Sequence, residues 1–97
     1  MAAENIRKLA LSESIHLKHG AGGMVIAKES VTIPDGYVGI LSVRRMFGNN
    51  KLSLTSQFLE SGFTGQPELH LLNMGNDLDL LVNEPVANIV IVKGLFG

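Results

Sequence analysis

Turn-forming residues interrupt this chain at short, regular intervals. Gly20-Ala21-Gly22-Gly23, Pro34-Asp35-Gly36, Gly48-Asn49-Asn50, Ser61-Gly62, Met74-Gly75-Asn76-Asp77 and Asn83-Glu84-Pro85 punctuate it. Proline presets one backbone angle and glycine supplies a positive one, so Pro34-Asp35-Gly36 is a tight turn. Turns roughly every ten residues, joining short apolar segments, imply an all-β chain of about eight strands, closed or sandwiched.

The segments between the turns support this. Residues 12–19 set Ile15 and Leu17 against Ser14, His16 and Lys18, the period-two pattern of a half-buried strand. Short strands are predicted over Met24–Ala27, Val31–Pro34, Tyr37–Val43, Lys51–Thr55, Glu68–Asn73 and Leu78–Val82, with residues 47–50 as loop. Val86–Lys93 is the most apolar run and is predicted to be the central strand. At the N-terminus, Ile6, Leu9 and Ala10 have helical spacing opposite Arg7 and Lys8, which predicts one or two helical turns or an extended arm. The domain reading is an arm over residues 1–11 and a single β domain over residues 12–97.

The 97 residues make one domain, 45% hydrophobic and only 18% charged. That is too apolar for a disordered chain. No run approaches the ~18 apolar residues of a membrane span, and no apolar h-region precedes Leu11, so neither a membrane partner nor secretion is expected. Cysteine is absent, which removes disulfides, thiolate metal sites and a cysteine nucleophile. A net charge of −1 and 5% aromatics argue against DNA or RNA as a partner. So small a core, built from Leu, Ile and Val, is commonly extended by burial between subunits.

Three stretches in series resemble the dUTPase / dCTP deaminase family. GMVIAKESVTIPDGYVGILSVRR resembles the strand, "TLP-D-x-x-x-G" turn and arginine-serine loop of dCTP deaminases. QFLESGFTGQPELHLLNMGND resembles "I-D-P-G-F-x-G-x-x-x-L-E-L-x-N", and NEPVANIVIVK resembles "G-x-x-I-A-Q-L-x-F-x-x". They span roughly residues 20–93 in the family's order. The resemblance implies a β-clip fold, a distorted barrel or sandwich of short strands assembled as a homotrimer. In enzymatic members the active sites are shared between subunits.

The same resemblance marks the site residues and their departures. Arg44 matches the arginine that holds nucleotide phosphates, a role suited to its fork of donors, but Arg45 occupies the place of the adjacent serine. The alternative for both is a surface or intersubunit ion pair. Glu60 replaces the family's aspartate and is one methylene longer, where catalytic placement tolerates less than ~1 Å of error. Phe63 matches the aromatic that packs on deoxyribose, or else plugs the core. His70 falls where dCTP deaminases carry a general acid/base glutamate; Glu68 lies two residues away on the same strand face. His16, His19 and His70 show no metal-ligand spacing.

The dUTPase "A-G-x-D" motif is missing, with only glycine character at Ala21-Gly22-Gly23, and Gly94-Leu95-Phe96-Gly97 gives no glycine-rich closing arm. Without a lid and an intact phosphate cradle, substrate is not sequestered from water. The expected function is therefore a non-enzymatic homotrimer with a structural or interaction role, in a virion or the cytoplasm. Its specific form is a phage capsid decoration protein. Ile6 and Leu9 of the arm, with Leu95 and Phe96, would contact capsid subunits or other partners. The alternative is a nucleotide-binding protein or divergent dUTPase or dCTP deaminase, with Arg44, Arg45 and Phe63 binding and Glu60 and His70 catalytic. No cofactor is expected, and magnesium only for a nucleotide hydrolase.

Overall fold

The apolar run 86–93 becomes the middle of the largest sheet. A computed structural model describes residues 6–48 and 50–94. In it β11 (Pro85–Lys93) lies between β1 (Ile6–Ala10) and β5 (Tyr37–Val43), and β7 (Phe58–Leu59) extends the sheet beyond β5. The register runs Arg7↔Ile89↔Leu41 and Leu9↔Ala87↔Val43 on the inner face. Alternation places Ile6, Val90, Ile40 and Phe58 together on the outer face.

A three-stranded sheet packs its inner face toward the same core. It is ordered β3 (Gly22–Ile26), β9 (Glu68–Asn73), β6 (Leu52–Leu54). Val25, Leu52, Leu54, Leu69 and Leu71 point inward and join Leu9, Leu41, Ala87 and Ile89. Two ribbons complete the β elements, β2 (Ile15–Leu17) with β10 (Leu78–Leu80) and β4 (Val31–Thr32) with β8 (Thr64–Gly65). All these pairings are antiparallel.

Local chemistry explains several departures from the sequence reading. Residues 6–10 form a strand, because Leu9 and Leu11 are both wholly buried and gain more from the inner face than a two-turn helix could offer. The arm therefore does not extend over residues 6–11, and Leu9 is corrected from partner contact to core residue. Ile6 stays exposed, while Leu95 and Phe96 lie outside the described residues. The glycines at 22 and 23 start β3 instead of only breaking a strand. A Cβ at Gly23 would meet Ile15 Cδ1 at 2.7 Å, so the bare backbone there admits β2. Gly39 serves the same purpose in β5, where a Cβ would lie 2.9 Å from Ile33 Cδ1 and 3.1 Å from Ile89 Cδ1. The loop predicted at 47–50 begins as a single helical turn, α1 (Arg45–Gly48). The strand predicted to Val82 stops at Leu80, since Asn83 turns with φ 70° and Glu84 N–H donates to Leu81 O.

Asn73 is the buried polar residue of this core. Its Nδ2 donates to Leu17 O at 2.9 Å and Asn76 O at 2.8 Å, and its Oδ1 accepts from Gly75 N at 3.0 Å. The side chain thereby ties β2 to the turn after β9 with its hydrogen-bonding capacity largely used.

Candidate functional site

The strand Tyr37–Val43 ends by delivering Arg44 against β11. Arg44 N–H donates to Val86 O at 2.8 Å, and its own carbonyl accepts from Phe47 N at 3.0 Å as α1 begins. The side chain is half-buried, and its Nε is buried with no acceptor from the described residues. A buried donor left unpaired costs about 1–3 kcal/mol. Arg45 is exposed, and the two arginines line one shallow concavity with Met46 and Asn88. Among the described residues no carboxylate lies within ion-pair distance of either arginine; the carboxylates with a basic neighbour at that range are Asp79 beside His16 and Glu68 beside His70.

A second concavity is formed by one tight turn. Phe63 N–H donates to Glu60 O at 3.1 Å and Gly62 takes φ 87°, the positive angle that favours glycine. The turn is fastened to the body by Gly62 N–H to Ile33 O, Ile33 N–H to Phe63 O, and Ser61 Oγ–H to Tyr37 O. Phe58, Leu59, Glu60, Ser61, Gly62 and Phe63 line the hollow. Phe63 is half-buried and packs against the hydrophobic core, so its ring plugs the core while it borders the concavity. Glu60 is exposed.

His70 joins neither concavity. It stands on the outer face of the three-stranded sheet, opposite Met24, with Nε2 3.1 Å from Glu68 Oε1. The period-two reading that put Glu68 and His70 on one face is thus seen as a direct contact. The structure therefore brings Arg44 to Arg45 and Glu60 to Phe63. The two hollows have no lining residue in common.

Asn88 escaped the sequence reading as a site residue. Its signal was polarity inside an apolar run: Asn88 interrupts VANIVIVK. Among the described residues no three His, Asp or Glu side chains come together to hold a metal ion. The arginine concavity is lined by cations and an amide, which does not fit a divalent cation held by carboxylates.

The fold is dUTPase-like. The chain superposes on the native dUTPase of EIAV with a TM-score of 0.87 at 13% identity, covering 100% of this chain and 82% of that one. It is similar to the dUTPase of Staphylococcus bacteriophage 80alpha with dUpNHpp, with a TM-score of 0.83 at 16% identity over 96% of this chain and 72% of that one. The dUTPase of phage phi11 of S. aureus gives a TM-score of 0.83 at 16% identity, over 96% and 79% of the two chains. No protein-family model matches the sequence, and a comparison with curated proteins found no match.

Proposed function

We propose that this chain is a non-enzymatic homotrimer with a structural or interaction role, built on a dUTPase-like scaffold. The observation that supports self-association is the outer face of the four-stranded sheet. There Ile6, Val90, Ile40 and Phe58 form one cross-strand row, and Val92 and Val38 pair in the next. Ile6 is 51% exposed, Ile40 37% and Phe58 63%. Apolar surface removed from water contributes about 25 cal/mol per Å², so a continuous stripe favours association of copies. Threefold assembly is what the family resemblance implies for such a chain.

The catalytic loss is supported by placement. Arg45 stands where the cradle needs a small hydroxyl, and Glu60 is longer than the aspartate it replaces. Incubation with dUTP, dCTP and the other deoxynucleotides should release neither pyrophosphate nor ammonia; turnover of any of them overturns this reading. Capsid decoration is the specific form we propose, with co-sedimentation on phage capsid shells as its test. Absence of binding to shells removes that form and leaves the trimer.

A second reading, nucleotide binding without turnover, is favoured by one observation, the unpaired Arg44 Nε beside Arg45. Calorimetry with the same deoxynucleotides decides it: saturable heat supports it, and no heat for any of them ends it.

A further inference from the structure

Three distant pieces of the chain meet beyond the end of β9. His19 follows β2, Asn50 and Lys51 precede β6, and Met74, Gly75 and Asn76 follow β9. Together they line a hollow of about 390 Å³ that shares no residue with the two concavities described above. Two backbone features build its wall. Lys51 holds φ 62°, an angle uncommon for a residue with a side chain, and its carbonyl accepts from Met74 N at 3.0 Å. Gly75 comes so near Asn50 that a Cβ there would lie 1.8 Å from Asn50 O. Backbone held in such conformations clusters at ligand sites.

His19 is set in one orientation. Its backbone N–H donates to Asp77 Oδ1 at 2.9 Å, and its ring Nδ1 lies 2.8 Å from Gly75 O. A carbonyl only accepts, so Nδ1 carries the proton and Nε2 of the neutral ring is an acceptor. Among the described residues neither that Nε2 nor the Lys51 ammonium has a partner. The hollow thus offers one cation, one fixed acceptor, the amides of Asn50 and Asn76, and half-exposed Met74 as an apolar wall. A single ammonium suits a monoanion, whereas a phosphate dianion calls for more donors and would approach the carboxylate of Asp77 beside His19. A cation beside an acceptor is met by a carboxylate beside an N–H, the arrangement at the end of a peptide chain. We propose that this hollow binds the C-terminal residue of a peptide, with its carboxylate at Lys51, its N–H at His19 Nε2 and an apolar side chain on Met74. The site lies within one chain, so its test is separate from that of the trimer.

N-acetyl-L-leucine carries all three groups. Its binding is followed by backbone amide shifts in NMR, each variant first being checked for its β spectrum by circular dichroism. Saturable shifts centred on His19, Lys51 and Gly75 are expected, with a Kd of about 1–10 mM for so small a ligand. Lys51→Gln should weaken binding roughly tenfold, the scale of a hydrogen bond to a charged group. Lys18→Gln, which removes a charge that does not line the hollow, should change little. N-acetyl-L-leucinamide, without the carboxylate, and isovalerate, without the N–H, should both bind more weakly than N-acetyl-L-leucine. Absence of saturable shifts up to about 50 mM overturns the proposal. So does unchanged binding by Lys51→Gln, or equal loss in Lys51→Gln and Lys18→Gln. Equal affinity for the amide, for isovalerate or for inorganic phosphate overturns it as well, because recognition would then not be of a peptide terminus.

Discussion

Asn73 shows how a single residue holds together what the alternating pattern alone would leave loose. Its amide satisfies Leu17 O and Asn76 O while accepting from Gly75 N, all at a position with no solvent access. Asn73→Ala leaves those groups to find water or stay unpaired, and should cost about 2–4 kcal/mol in urea unfolding. Asn73→Asp should cost at least as much, since a carboxylate oxygen would then face the carbonyls of Leu17 and Asn76. A loss below about 1 kcal/mol in both would show that the network does not matter. At Gly39 the constraint is steric. An alanine Cβ would press on Ile33 and Ile89, so Gly39→Ala should destabilise by about 1–3 kcal/mol in the same measurement. Neither residue's role was legible in the sequence. Asn73 was visible as part of a motif, but its three partners come from distant or turning backbone. Gly39 looked like any glycine in an apolar run until the facing side chains were known.

Among the elements, legibility followed the strength of the local pattern. β11 could be read directly, because nine residues rich in β-branched side chains have few alternatives to a central strand. β9 and β5 likewise follow their alternation. β1 could not be read, because Ile6, Leu9 and Ala10 fit helical spacing as well, and only the inner face of β11 decides between the two. β7 was missed because two residues carry no period. The outer face of this four-stranded sheet is where the elements make a functional prediction. Ile40→Asp and Phe58→Glu each place a charge in the apolar row without touching the core. Light scattering should show these variants shifted toward the monomer, with circular dichroism unchanged. Unaltered assembly in both would mean that copies meet on another surface.

For the whole molecule, the scaffold and the site separate. The family resemblance carried by Pro34-Asp35-Gly36, Gly62-Phe63-Thr64-Gly65 and Glu84-Pro85-Val86-Ala87 pointed to the dUTPase-like fold, because the backbone needs particular residues at such places. The site was only partly legible. Adjacent residues such as Arg44 and Arg45 stay together in any fold, whereas Asn88, far along the chain, joins them only through register. His70 was drawn toward the site by its place in the motif, and the three-stranded sheet turns it away. Among the described residues no carboxylate pairs with Arg44 or Arg45, and Ile6, Ile40 and Phe58 of the neighbouring stripe are exposed.

Under the proposed function, copies of this chain meet on the apolar stripe and assemble as a trimer. Sedimentation equilibrium at micromolar concentration tests it most directly. A single species of three chain masses is expected; a monomer across that concentration range overturns the proposed trimer.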